Sequence, residues 1–447
     1  MKSVRVQIWV LLMVLGLGFT ACDQEQEEDM QPTVEVDPVK KAIVDVMREW
    51  YYWNEEIPKN LDINQFSSNT DLLNAMRFRP TELDRFSYLT TPAAFNASFT
   101  GQATGVHGFS FAMNPIEELF VAFVFNDGPA GKAGWQRGWQ ILEINNRPIA
   151  SYKNAEGRYV FDLGPNTVGV TNSFKIRKPD GQEILSTIGK EDFQSNSVLH
   201  QSVINVDNKR VGYWAYQSFR ATPNLSPTRS LEVQQSFEFF QAQGINELII
   251  DLRYNGGGSV AVAEQILNYV IKPSDNGKQM YVNRHNIQKS GENRVVNFNK
   301  IGNLNLNRIV FITTRSSASA SELIINSLTP YMDVVLIGDN TFGKPVGSFP
   351  LSRFNRTLSN NNIEVVPITF AIANASGRAD YFEGFKPNFK VGDDTRRNWG
   401  DPQEGMLAAA LEYIRSGNIG ARSASYYRPK WEMIDAFEGL QKEFPMY

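Results

Sequence analysis

Three short stretches of this chain carry the residue types that acyl transfer requires. Residues 315–328 read RSSASASELIINSL, with four serines in six positions running into an apolar, helix-like segment. Tyr254-Asn255-Gly256-Gly257-Gly258 follows the strand-like ELIIDLR, and Asn340-Thr341-Phe342-Gly343-Lys344 follows the strand-like DVVLIGD. A serine hydroxyl is a weak nucleophile until a base takes its proton. Lysine serves as that base only when neutral, and its reference pKa of ~10.4 must fall by roughly three units to do so near pH 7. Phe342, Val346 and Phe349 flank Lys344 and offer the apolar burial that lowers it. Glycines leading into a helix leave backbone amides open to an anion. Ser319-x-x-Glu322 also fits a capping box, in which Ser and Glu side chains satisfy each other's helix-start amides. Local sequence therefore leaves open a capped, solvated loop as well as a nucleophile.

The elements that must position these residues form an alternating pattern. Across 193–415, KRVGYWAY, ELIIDLR, NRIVFITT and DVVLIGD read as strands, interleaved with helical segments at 228–243, 259–271 and 322–328. That alternation predicts an α/β core, where sites collect at the carboxyl ends of strands. Ahead of it, residues 38–102 read as a small helical domain. Asp37 and Pro38 open its first helix, Val39, Ile43, Val46, Met47, Trp50 and Trp53 mark an apolar face, and DRFSYL (84–89) comes near its end. Residues 103–192 read as a compact β module, with strands at HGFSFAM and LFVAFVF and a hairpin turn at Asn145-Asn146.

The run Gly138-x-x-Ile141-x-x-Ile144-Asn145 makes this module resemble a PDZ domain, although Trp139 stands where an acidic residue is usual. That resemblance implies that Gly108, Phe109, Ser110 and Phe111 form the carboxylate loop and the strand to which an extended peptide adds. DLRYNGGG, SASASE and TFGK, in that order, resemble the C-terminal processing peptidases, or tail-specific proteases, over roughly residues 38–415. The family resemblance implies a crotonase-like (ClpP/crotonase) catalytic core with an inserted PDZ module and no cofactor. Carried over by position, Ser319 is the nucleophile and Lys344 the general base. The oxyanion donors are the amides of Ala320 and Gly257, with Gly258 as the alternative to Gly257. Ser348 stands where the family has a glutamine that supports the lysine, and Pro345 replaces a common glycine. Those departures keep a second reading in view: a non-catalytic binder of peptides or small apolar ligands on the same scaffold, as in interphotoreceptor retinoid-binding modules. No G-x-S-x-G elbow occurs, and His107, His200 and His285 lie away from the three strand ends.

The chain's beginning indicates a compartment. Lys2 and Arg5 precede an apolar run from Ile8 to Phe19, so residues 1–21 read as a secretory signal. FTAC resembles a lipobox with Phe19 in place of the usual leucine, which implies a lipid on Cys22, the only cysteine. Residues 22–37, with the acidic DQEQEED, read as a tether, and the expected location is a bacterial cell envelope with membrane attachment through that lipid. Formal charge is −4, from 44 basic and 48 acidic residues. Without a basic stripe, nucleic acid is not an expected partner; polypeptides are. Three histidines and no H-E-x-x-H argue against a metal site. Residues 416–447 are aromatic-rich, and the sequence does not place them.

Overall fold

In a computed structural model, residues 36–420 and a short strand at 432–434 are described. The leader, Cys22 and the acidic run lie outside them, as does most of the tail.

Helix α1 (Pro38–Trp50) begins where expected: the Asp37 side chain accepts the Val39 amide at 2.8 Å, and Pro38 stands in the first turn. Its apolar face (Ile43, Val46, Met47, Trp50) and Leu72, Leu73 and Met76 of helix α2 (Asn69–Met76) are buried. They share one core with Val346, Leu351, Leu358, Val365 and Ile368, far along the chain. The N-terminal helices therefore lack a core of their own and close over the segment that follows Lys344. Burying each such side chain contributes about 1.5–3 kcal/mol.

The β module is built on five antiparallel strands in spatial sequence: β1 (Phe109–Met113), β2 (Leu119–Val124), β3 (Gln140–Ile144), β4 (Thr171–Arg177) and β5 (Glu183–Gly189). Asn145 and Asn146 take φ of 50° and 60°, the paired left-handed conformation that a two-residue hairpin turn demands.

The α/β core is a six-stranded sheet ordered β6 (Val198–Val206), β7 (Lys209–Tyr216), β8 (Glu247–Asp251), β9 (Arg308–Thr313), β10 (Asp333–Gly338), β11 (Phe389–Lys390). Strands β7 to β11 run parallel. Helices α3 (Leu231–Ala242), α4 (Val260–Val270) and α5 (Ala320–Leu328) pack on the face that carries Leu248, Ile250 and Phe311. Helix α6 (Gly405–Ser416) covers the face that carries Ile249, Val310 and Ile337. Both faces are covered, which is why these strands read as continuous apolar runs. A four-stranded antiparallel sheet (Arg294–Asn297, Gln279–Arg284, Ile368–Asn374, Val346–Ser348) stands beside this core, and the sequence pattern did not reveal it. No described helix is long and apolar enough to cross a membrane.

Candidate active site

Strands β8, β9 and β10 are neighbours, so the three stretches singled out in the sequence emerge side by side from their carboxyl ends. The loops are tied to one another. The Ala318 amide donates to the Asn255 carbonyl at 3.1 Å, and the Phe342 amide to the Ser317 carbonyl at 2.9 Å. Ser317 Oγ donates to the Leu252 carbonyl at 2.8 Å, and Ser321 Oγ to the Asn255 carbonyl at 3.0 Å. These neighbouring serines brace the loop.

Ser319 is the N-cap of α5, with φ 55° and ψ −111°. A non-glycine residue in that region carries strain on the order of 1–3 kcal/mol. Ser319 and Glu322 form the capping box, and the Ser319 amide donates to Glu322 Oε2 at 3.0 Å. Glu322 does far more than cap. The same Oε2 accepts the Lys344 amide at 2.7 Å, while Oε1 accepts the Gly343 amide at 2.7 Å and Thr341 Oγ1 at 2.6 Å. The carboxylate is fully buried. Burial raises its pKa, and these donors work in the opposite direction.

Lys344 is only 3% exposed. Burial drives its pKa down to about 8, against the opposing charges of Asp84 and Glu322. Its Nζ lies 5.2 Å from the centre of the Phe86 ring. Ser319, Lys344, Gly258 and Ser348 all line one cavity of about 780 Å³, with Trp50 and Phe349 among its aromatic walls. Ser348 Oγ, though buried, makes no hydrogen bond among the described residues.

Of the two glycines considered as oxyanion donors, Gly257 has its amide engaged by Asn255 Oδ1 at 2.9 Å. Gly258 faces the cavity instead, at φ 137°. A Cβ on Gly258 would meet the Phe219 carbonyl oxygen at 2.6 Å, so the position demands glycine. Ala320 opens α5, where a first-turn amide has no partner within the helix.

Several positioning residues escaped the sequence reading. DRFSYL, near the end of the helical domain in sequence, reaches the site. One Arg85 nitrogen donates to the carbonyls of Phe342 (3.1 Å), Gly343 (3.2 Å) and Phe382 (3.2 Å), pinning the lysine loop from the N-terminal region. Asp84 accepts Tyr51 Oη at 2.6 Å, the Ser87 amide at 2.9 Å and Ser87 Oγ at 2.7 Å. The glycine run is anchored at its base. Arg253 binds Asp251, Asp393 and Glu404, while Arg137 of the β module donates to Tyr254 Oη and Asp393 Oδ1, both at 2.7 Å. Burial alone would raise the Asp393 carboxyl, yet the two arginines hold it at about 2. His285 also lines the cavity, from the end of the Gln279–Arg284 strand. His107 is buried inside the β module, where burial holds its pKa at about 4. Among the described residues no cluster is arranged to hold a metal ion.

Comparison with known proteins gives this arrangement its family. Residues 210–391 match the model of peptidase family S41, and residues 38–88 match the peptidase S41 N-terminal domain, together more than half of the chain. The chain belongs to peptidase family S41. The S41 N-terminal match takes in Asp84 and Arg85, and the S41 domain match takes in all three loops. A solved S41 protease structure from Bacteroides fragilis NCTC 9343 superposes with a TM-score of 0.69 at 25% identity, covering 84% of this chain and 97% of that one. Among curated relatives, carboxyl-terminal-processing peptidase 3, chloroplastic, of Arabidopsis thaliana is 23% identical over 58% of this chain and 50% of its own. The carboxyl-terminal-processing protease of Picosynechococcus sp. is 24% identical over 58% of this chain and 60% of its own. The chain thus spans between half and two thirds of the length of these curated relatives.

Proposed function

We propose that this protein is a serine endopeptidase that cuts polypeptides with a Ser319–Lys344 dyad. The observation that carries the reading is the shared cavity of a serine at a helix start and a fully buried lysine, both backbones held by Glu322. Ser319 Oγ attacks the scissile carbonyl while neutral Lys344 Nζ takes its proton. The tetrahedral oxyanion is held by the amides of Ala320 and Gly258, the second role passing to Gly258 because the Gly257 amide is engaged by Asn255. Collapse transfers the lysine's proton to the departing amine and leaves an acyl-enzyme. Water, activated by the lysine neutral once more, then releases the acid and restores Ser319.

In this reading residues 193–415 form a crotonase-like core and 103–192 a PDZ-like insert. Gly108 and the strand Phe109–Met113 dock the tails of substrates, and Cys22 carries the lipid that anchors the enzyme in a bacterial envelope. Ser348 is a wall of the dyad's cavity rather than a hydrogen-bonding support. The test is digestion of a reduced, carboxymethylated protein: the intact chain cuts it, while Ser319→Ala and Lys344→Ala fold normally and do not. A fluorophosphonate probe separates this from a non-catalytic ligand carrier, since only the enzyme is labelled at Ser319.

A further inference from the structure

The β module's sheet does not end at β1. Beyond it lies β12 (Glu432–Ile434), antiparallel, with Glu432 opposite Met113, Met433 opposite Ala112 and Ile434 opposite Phe111. Every residue of β1 is buried, whereas Leu185 on the opposite edge strand is 68% exposed. An edge strand offers unpaired N–H and C=O groups, and a peptide that adds to a sheet uses those groups. Here they are met by the chain's own tail.

The polarity is informative. From Glu432 beside Met113 to Ile434 beside Phe111, the tail strand runs toward the Gly108 end of β1. A substrate tail bringing its carboxylate to that loop would run the same way. The pairing is also short: three residues of β12 face β1, against five paired positions between β1 and β2. A longer peptide can therefore replace it pair for pair and extend beyond it.

We infer that residues 432–434 are a resident strand of the peptide-docking edge, an internal competitor that an incoming polypeptide displaces. This rests on the reading of β1 as the docking strand. A tethered segment is present at high effective concentration, so it sets a threshold that only well-matched peptides overcome. The exchange takes place next to the catalytic half. Ala112 of β1 and Phe123 of β2 belong to the cluster that contains Tyr254, with the Phe123 and Tyr254 ring centres 5.5 Å apart. Tyr254 leads directly into the glycine run.

The experiment uses the full chain carrying Ser319→Ala, so that the probe is not cut, with and without Met433→Pro. Proline removes a ladder donor and fixes φ, which unseats a strand this short without touching the module. The probe is a fluorescein-labelled peptide of residues 428–440, RPKWEMIDAFEGL, supplied in trans. The expected result is binding about tenfold tighter to the proline variant, together with faster amide exchange along 109–113 before peptide is added. Equal affinity for both proteins overturns the inference while leaving peptide docking intact. Weaker binding to the variant also overturns it, by making the tail a structural part of the site. No binding to either protein overturns the docking reading, and this inference with it.

Discussion

Ser319 and Lys344, twenty-five residues apart in sequence, donate their backbone amides to the same oxygen of Glu322, at 3.0 and 2.7 Å. One buried carboxylate thus sets the separation of the two loops that carry the proposed dyad. It also neutralises donors that would otherwise be stranded away from water. Glu322→Ala leaves four of them without an acceptor, and an unfolding curve should show a loss of roughly 3–5 kcal/mol. Glu322→Gln keeps the volume but turns an NH2 toward amides; its turnover should fall about a hundredfold with KM little changed, because the dyad rather than the peptide groove is displaced.

The proton chemistry gives a pH dependence with a definite sign. As the proposed general base Lys344 must be neutral, and burial places its pKa at about 8. Turnover should therefore rise about tenfold per unit as pH climbs toward 8 and level off above it. Asp84 raises that pKa by its charge, so Asp84→Asn should shift the acidic limb to lower pH. The same substitution weakens bonds to Tyr51 and Ser87, at a cost of about 1–3 kcal/mol in stability. A pH–rate profile of both proteins checks the shift.

Stability has its own linkage to Lys344. Its folded pKa lies below the unfolded value, so between about 8 and ~10.4 the unfolded chain binds the extra proton and stability rises with pH. Below that window the penalty for charging the buried lysine is fully present. Lys344→Met removes it. Calorimetry at neutral pH should find the inactive variant more stable by up to about 3 kcal/mol, with the rise above pH 8 reduced.

The backbone of Ser319 supports a further expectation. At φ 55° and ψ −111° a Cβ is strained, and glycine is not. Ser319→Gly and Ser319→Ala should both be inactive, with the glycine variant about 1 kcal/mol the more stable in denaturant melts.

Arg85 is a positioning residue whose test separates geometry from folding. It holds three carbonyls at and near the lysine loop from the far end of the chain. Arg85→Lys keeps the charge but carries its nitrogen on a shorter stem, which does not bring it to the same three carbonyls. Its turnover should fall at least tenfold while KM stays within a factor of two, and the chain should remain folded by circular dichroism.

The residues of the proposed site were legible in the sequence because short motifs carry them: a serine at a helix start, glycines after an apolar strand, a lysine in a turn. The parallel core was legible for the same local reason, since β8, β9 and β10 read as unbroken apolar runs. What local sequence could not reveal lies in contacts across long separations. Arg85 meets Gly343 from 258 residues away, and Arg137 meets Asp393 from 256. DRFSYL looked like the end of a domain because nothing nearby in sequence needs its arginine. The four-stranded sheet was missed because its strands are scattered from 279 to 374 and two are only three or four residues long. The choice between Gly257 and Gly258 turned on a side chain, Asn255, whose direction no spacing reveals.

Cutting of peptide bonds by Ser319 and Lys344, as proposed, is tested by digestion of a reduced, carboxymethylated protein at pH 8 by the intact chain, Ser319→Ala and Lys344→Ala, followed by mass spectrometry of the fragments. New peptide ends with the intact chain and none with either folded variant is the predicted result. Fragments at the same rate from either variant would contradict it.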